Sequence, residues 1–137
     1  MPSRSEVVQA ARAYIGTPYH HQGRSRAGLD CVGLIVAVAA DIGLQSHAQR
    51  FDIQNYSRMP DGSLMTHFGQ AAEAVLGKPQ PGDILVFKFL KQPHHLAIQS
   101  GPSRMVHAVE RYGVVEVNLV EQWLARQVGV YQLPGVL

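Results

Sequence analysis

The stretch "AGLDCVGLIVAVAADIGL", residues 27–44, contains the only cysteine of this 137-residue chain. Asp30 is a good N-cap, so we predict a helix that begins at Cys31, runs to about Ile42 and ends at Gly43. Apolar residues cover most of its circumference, which places this helix in the middle of the fold. Cys31 is therefore either a small buried hydrophobe or a nucleophile at a helix start, where the helix dipole is expected to lower its pKa.

Helices are predicted to come first along the chain. Ser3 and Glu6 form a capping box for a helix that reaches about Tyr14. Residues 45–62 are predicted to be a loop, and a second amphipathic helix is predicted from Ser63 to Leu76. Helical spacing places five residues on the buried face of the first helix, namely Val7, Ala10, Ala11, Tyr14 and Ile15.

The second half of the chain changes to short β-rich runs that are separated by turn residues. Helices followed by an antiparallel sheet are typical of an α+β domain, and the length suggests one domain over residues 1–137. A short helix near residues 121–126 interrupts the strands. The predicted strands are "DILVFKF" (83–89), "HLAIQ" (95–99), "RMVHAV" (104–109), "VVEVNL" (114–119) and a last run near 128–133.

Composition excludes several classes of protein. The formal net charge is +2 and the basic residues are scattered, so we expect no nucleic-acid partner. The N-terminus has no signal-peptide pattern, and the longest charge-free apolar stretch is too short to span a bilayer. We therefore expect a protein that is cytoplasmic as synthesised and does not insert into a membrane. A lone cysteine excludes an internal disulfide.

A thiol nucleophile needs a base, and the base needs a partner that orients it. His95 and His107 lie on successive predicted strands. A three-residue hairpin loop would make them a cross-strand pair on one face, whereas a two-residue loop would break this pairing. His94 is expected to point to the opposite face, so we discount it as the base.

Other interpretations of the histidines stay open at this point. His95 and His107 could be half-buried strand residues that bond backbone carbonyls. With His94 they could also form a zinc site, although the chain lacks a second cysteine and a helical pair of histidines. His20 and His21 precede Cys31 and could border its site, or they could simply be exposed. His47 and His67 are treated as surface residues.

With these residues in view, the sequence resembles the NlpC family (NlpC/p-sixty) of cell-wall cysteine peptidases, which have a papain-like fold. The resemblance implies N-terminal helices packed on a central antiparallel sheet. The form of its motifs is most similar to the phage and prophage branch of the family, whose members are tail-associated. The motifs follow the family order over residues 14–118, in "GTPYHHQGRSRAGLDCVGLI", "PQPGDILVFKF", "HHLAIQSG" and "MVHAVERYGVVEV".

The resemblance also implies roles for individual residues. Cys31 matches the nucleophile, His95 the general base and His107 the orienting residue. Tyr19 matches the tyrosine whose hydroxyl helps at the oxyanion site. Asp30 precedes the nucleophile and is expected to cap the helix or contact substrate. Candidate substrate contacts are Asp30, His20 and Val32, the last of which stands where the common family motif has serine.

The implied reaction is hydrolysis of an amide bond in peptidoglycan stem peptides, at the D-γ-glutamyl bond to diaminopimelate or lysine. It needs no metal and no cofactor. The implied partners are the stem peptides and, in the phage branch, tail proteins, so that the protein acts at the cell wall as a particle component. Two alternatives stay open: an inactive tail assembly protein, and a papain-like amidase or acyltransferase with another substrate.

Overall fold

The computed structural model describes residues 2–136. Helices and strands alternate little along the chain, and most helices come before most strands. Their order is α1 (Arg4–Arg12), β1 (Arg24–Ser25), β2 (Gly28–Leu29), α2 (Cys31–Asp41), α3 (Gln45–Phe51), α4 (Ser63–Ala71), β3 (Glu73–Ala74), β4 (Ile84–Phe89), β5 (Gln92–Gly101), β6 (Arg104–Val109), β7 (Gly113–Asn118), α5 (Glu121–Leu124) and β8 (Gln127–Gln132).

Strands β3 to β8 form a six-stranded antiparallel sheet in the order β3-β8-β4-β5-β6-β7. The central helix α2 packs on β5 and β6, while the short strands β1 and β2 pair with each other in the loop before it. Side chains from α1, α2 and one face of the sheet make the main core, which includes Leu34, Ile35 and Ile98. The opposite sheet face carries a smaller apolar cluster around Phe87 and Met105.

Helix α1 is fixed at its start by a cap and by an ion pair. The Ser3 hydroxyl accepts a hydrogen bond from the backbone N–H of Glu6, as the capping motif predicts. Arg4 then pairs with the buried carboxylate of Asp83, which lies at the start of β4 and also accepts from the Gln80 N–H. The helix ends at Arg12, earlier than expected, so Ile15 is 46% exposed and its predicted burial is wrong.

The segment between α2 and the sheet differs most from the prediction. Residues 45–51 were expected to be loop, but they form α3, whose Phe51 stacks on Phe68 at 5.5 Å between ring centroids. Few apolar residues mark this helix, so its hydrophobic period is weak. The helix predicted to reach Leu76 ends at Ala71, because Glu73 and Ala74 pair with β8 instead.

The register of the β5–β6 hairpin is also different from the expected one. Ile98 pairs with Val106 and Gly101 with Arg104, so the turn has two residues and a bulge precedes it. His95 and His107 are therefore not directly opposite, because continuing this register places His107 beside Ala97. His95 lies two residues from Ala97, and side chains two residues apart on a strand point to the same face. Both histidines therefore still lie on one face, as diagonal neighbours.

Two matched leucine truncations test how far α2 supports the core. Leu34 is fully buried and Leu76 is 96% exposed. Leu34→Ala should lower the free energy of unfolding by about 2–5 kcal/mol, because it leaves a cavity between α2 and the sheet. Leu76→Ala should change it by less than about 0.5 kcal/mol. Urea denaturation followed by circular dichroism measures both, and equal effects would contradict the described core.

Candidate active site

Cys31 is the first residue of α2 and lies at the bottom of a narrow cleft. The Asp30 side chain caps the helix by accepting from the Gly33 N–H at 2.8 Å, as expected. Cys31 is only 7% exposed. This opening, the Cys31 cleft, is lined by Tyr19, His21, Asp30, Cys31, Tyr56, Ser57, Arg58, Leu64, His94, His95 and Ala108.

Two glycines allow the preceding loop to lie close to this helix and to the sheet. A Cβ at Gly33 would collide with the carbonyl oxygen of Gly23, so the first turn of α2 needs glycine there. Gly113 has a φ of +75°, and a Cβ there would collide with the carbonyl oxygen of Thr17. The Val114 N–H donates to that same oxygen at 2.9 Å. These contacts hold residues 16–19 against β7 and bring Tyr19 to the cleft.

The electrostatics of Cys31 correct one sequence-based expectation. Burial raises the pKa of the thiol to about 12, and the negative charge of Asp30 raises it further. Backbone hydrogen bonds from Leu96 and Val32 lower the pKa, but they do not outweigh burial. The helix start therefore does not produce a thiolate, and the thiol stays protonated at neutral pH until a base removes its proton.

His95 and His107 form a buried hydrogen-bonded pair. The Nε2 atom of His95 lies 2.8 Å from Nδ1 of His107, so one of these nitrogens donates to the other. Trp123 stacks on the His95 ring at 5.7 Å and meets the His107 ring edge-on at 5.1 Å. Because Nε2 of His95 is used in this bond, Nδ1 is the ring nitrogen that remains for a second partner.

Burial keeps both imidazoles neutral. It lowers the pKa of His95 to about 3, with further lowering from the nearby His107 and His94. It lowers the pKa of His107 to about 4. A neutral imidazole can accept a proton, whereas an imidazolium cannot. The thiol and the histidine pair are therefore both uncharged in the resting site.

The Asp30 carboxylate is also the centre of a polar network beneath the cleft. One oxygen accepts from Arg24 at 3.1 Å, and the other accepts from the Gln22 N–H at 2.8 Å and from the Tyr56 hydroxyl. Arg24 continues to Asp52 at 2.7 Å. Because both carboxylate oxygens accept hydrogen bonds, Asp30 caps α2 and also links the preceding loop and residues 52–56 to this helix.

A second and wider opening continues from the Cys31 cleft past His95. It has a volume of about 320 Å³, against about 50 Å³ for the cleft itself. The two openings share Tyr19, Arg58, His94, His95 and Ala108. The wider one, the Trp123 groove, is completed by Phe89, Val109, Glu110 and Trp123.

The comparisons with known proteins agree with this geometry. The profile of the NlpC/P60 family matches residues 16–132. The chain belongs to the NlpC/P60 family. A probable endopeptidase of Mycobacterium bovis is 33% identical over 112 residues, which are 81% of this chain and 24% of that protein. Dipeptidyl-peptidase 6 of Lysinibacillus sphaericus is 29% identical over 119 residues, which are 87% of this chain and 37% of that protein.

Solved NlpC/P60 structures have the same fold. The NlpC/p60 domain of the peptidoglycan hydrolase SagA matches with a TM-score of 0.69 at 23% identity, over 95% of this chain and 98% of that one. An NlpC/P60 family protein from Bacillus cereus matches with a TM-score of 0.70 at 21% identity, over 96% and 40% of the two chains. The predicted α+β fold, with helices on an antiparallel sheet, is confirmed.

Not every residue that the sequence suggested lies at the site of this NlpC/P60 chain. Val32 is fully buried in the main core and lines neither opening, because it faces away from the cleft. His20 is exposed beside Gly23 and Ser25, in a different depression. Its neighbour His21 lines the Cys31 cleft instead and packs edge-on against Tyr56 at 5.6 Å. Substrate contact by Val32 or His20 is therefore not supported.

Several cleft residues were not singled out from the sequence. His94 had been discounted, yet it lines both openings and donates from Nε2 to the Arg58 carbonyl at 3.0 Å. Tyr56, Ser57 and Arg58 come from the irregular segment between α3 and α4. That segment has no hydrophobic period and no motif. Long-range hydrogen bonds and the burial of Tyr56 in the main core bring it to the site.

The zinc interpretation finds no support in the described part of the chain. Among residues 2–136, the histidine, cysteine and acidic side chains form no group of three or more that could hold a metal ion. His94 is engaged with Arg58, while His95 and His107 bind each other.

Across residues 2–136, every helix is too short or too polar to cross a bilayer.

The neutral histidine pair predicts a loss of stability in acid. The pKa of each imidazole is lower in the fold than the value of 6.5 that applies on unfolding. Between pH 6.5 and pH 4, the unfolded chain therefore binds more protons, and stability falls as the pH falls. Each histidine contributes a slope of up to about 1.4 kcal/mol per pH unit in the free energy of unfolding.

Urea titrations at several pH values measure this slope. His107→Gln keeps a polar side chain but removes one titrating ring, so its slope should be shallower than that of the wild type. The exposed His20→Gln removes one histidine as well and serves as the matched control. A slope that is the same in all three proteins would contradict the buried, neutral pair.

Proposed function

We propose that this chain is a cysteine endopeptidase that hydrolyses amide bonds in peptidoglycan stem peptides, at the D-γ-glutamyl bond to diaminopimelate or lysine. One observation carries the proposal: Cys31 and His95 line one cleft, and His95 is hydrogen-bonded to His107. Membership of the NlpC/P60 family supports the substrate class, since a related domain belongs to a peptidoglycan hydrolase.

Catalysis begins from the neutral site. As the Cys31 sulfur attacks the scissile carbonyl, its proton passes to the free ring nitrogen of His95. His107 holds the other nitrogen of His95, which fixes the ring and stabilises the positive charge that forms. Because the thiol is protonated at rest, proton removal accompanies attack and a thiolate does not accumulate beforehand.

The attack converts the carbonyl oxygen into an oxyanion, which needs hydrogen-bond donors. The first N–H groups of α2 have no partners within the helix, and that of Cys31 points to this oxygen in our proposal. The Tyr19 hydroxyl is the second donor. Burial raises the pKa of Tyr19 above its usual value, so the hydroxyl keeps its proton.

Collapse of the intermediate breaks the carbon–nitrogen bond. His95 returns its proton to the leaving amine, and the acyl half stays on Cys31 as a thioester. Water then loses a proton to His95 and attacks the thioester, which releases the acid and regenerates the thiol. Every proton in the cycle moves through His95.

Digestion of purified peptidoglycan tests the activity. The wild-type protein should release muropeptides cut at the γ-glutamyl bond, identified by mass spectrometry. Cys31→Ala should reduce the release to background while its circular dichroism spectrum stays unchanged, since the thiol is the nucleophile. Undiminished turnover by Cys31→Ala would refute the mechanism.

The same experiment separates the alternatives. Absence of muropeptides together with acylation of Cys31 by a simple ester would indicate an amidase or acyltransferase. Absence of both would indicate an inactive assembly protein. Either result would overturn the peptidase proposal.

The oxyanion role of Tyr19 has its own test. Tyr19→Phe removes only the hydroxyl, so kcat should fall by about 10²- to 10³-fold with little change in KM, as when a single oxyanion donor is lost. Tyr112→Phe makes the same change at an exposed position outside both openings and should leave kcat unaltered. A larger effect on KM than on kcat would assign Tyr19 to substrate binding instead.

We also propose that the protein acts at the cell wall as a component of a phage or prophage tail. The support is the form of its motifs, "TPYHHQ" together with "HAVERYGVVEV", which are most similar to that branch. Mass spectrometry of purified phage particles tests this role. Absence of the protein from particles that contain the other tail proteins would refute it.

A further inference from the structure

In the proposed mechanism the Trp123 groove is the opening that can hold the leaving residue. In the proposed reaction the acyl half becomes bonded to Cys31, and the leaving amine takes its proton from His95. Cys31 and Asp30 line only the narrow cleft, whereas His95 lines both openings. A peptide that spans the Cys31 sulfur and the free ring nitrogen of His95 therefore places its acyl half in the cleft. Its leaving residue then lies in the Trp123 groove.

Two charged side chains line this groove, Arg58 and Glu110. They come from different parts of the chain, since Arg58 belongs to the segment between α3 and α4 and Glu110 to the β6–β7 turn. Both are freely hydrated, with side chains 60% and 68% exposed. The other side chains of the groove that carry polar groups are His94, His95, Tyr19 and Trp123.

The two charges face each other without a tight bond. The Nη1 atom of Arg58 lies 3.7 Å from Oε1 of Glu110, whereas a charge-assisted hydrogen bond is about 2.7–2.9 Å long. An exposed pair of this kind contributes little to stability. Both groups are therefore available to a ligand, and exchanging their mutual contact for new partners has a small cost.

The position of Arg58 is fixed through its backbone. Its carbonyl oxygen accepts from Nε2 of His94, and this places the residue beside β5. Within residues 2–136 its guanidinium makes no comparable hydrogen bond, and the residue lines the groove. A residue whose backbone is held in place and whose charged end is free is suited to recognise a charged group on the substrate.

We propose that Arg58 and Glu110 together recognise an ammonium and a carboxylate carried on one carbon of the leaving residue's side chain. The carboxylate pairs with the Arg58 guanidinium and the ammonium with the Glu110 carboxylate. This inference rests on the proposed function and narrows it. Diaminopimelate carries both groups at the end of its side chain, whereas lysine carries only the ammonium and leaves Arg58 without a partner.

Three peptides that differ only in the third residue test the inference. They are L-Ala-γ-D-Glu-meso-diaminopimelate, the same peptide with the side-chain carboxylate amidated, and the lysine peptide. The wild-type protein should cleave the first with a kcat/KM about tenfold or more above the other two, the effect of one added charged contact. Added salt should narrow this ratio, because both charges are exposed.

Single substitutions separate the role of the Arg58 charge from that of the Glu110 charge. Arg58→Gln should lower kcat/KM mainly for the diaminopimelate peptide, so that its advantage over the amidated peptide disappears. Glu110→Gln should lower kcat/KM for all three peptides, because each carries the ammonium. The controls Arg111→Gln and Glu121→Gln change exposed charges outside the groove and should preserve the wild-type ratio.

Two results would overturn the inference while the peptidase function stands. One is equal cleavage of the diaminopimelate and amidated peptides by the wild-type protein. The other is an equal loss on all three peptides in Arg58→Gln, which would mean that Arg58 only shapes the opening. If none of the peptides is cleaved, the proposed function fails and the inference fails with it.

Discussion

The buried carboxylate of Asp30 is the constraint on which the rest of the site depends. Its two oxygens accept hydrogen bonds from the first turn of α2, the loop before it, Arg24 and Tyr56. Three chain segments without regular pairing to one another are joined at this one group. A buried charge with fewer partners would be unstable, so the partners define the position of the loop as much as they stabilise the anion. The cleft beside Cys31 is therefore shaped by a hydrogen-bond network and not by apolar packing alone.

The same carboxylate influences the chemistry in a direction that opposes the helix start. Its negative charge and the burial of the sulfur keep the Cys31 thiol protonated, while burial beneath Trp123 keeps His95 and His107 neutral. A neutral resting site avoids two separated charges in a dry environment. In the proposed mechanism this makes the His95–His107 bond important, because positive charge appears on His95 only during the reaction and is stabilised there by His107.

The fold and the centre of the site could be predicted because their signals are local. The capping residues Ser3 and Asp30, the apolar circumference of α2 and the alternation in the strands each depend on a few neighbouring residues. The resemblance to a family then indicated Cys31, His95 and His107. The β5–β6 turn has two residues and not the three that direct pairing of His95 with His107 requires. The two histidines still share a face, because a bulge keeps the register offset between them even.

What could not be predicted depends on contacts between distant segments. Val32 follows Cys31 directly, yet helical geometry turns it into the core. His21 and not His20 reaches the cleft because of how the loop is bound to Asp30. Tyr56 and Arg58 lie in a stretch with no hydrophobic period. Contacts with distant residues bring it to the site, among them hydrogen bonds with Arg24, Asp30 and His94.

The protonated state of Cys31 has a consequence for the durability of the protein. Peroxides and disulfides react with thiolates far faster than with thiols, so a buried thiol of raised pKa is a poor target for oxidation. The chain contains no second cysteine that could reduce a damaged one. Burial and the raised pKa therefore disfavour oxidation of the resting thiol, and in the proposed mechanism the sulfur becomes reactive when a bound substrate and His95 act on it together.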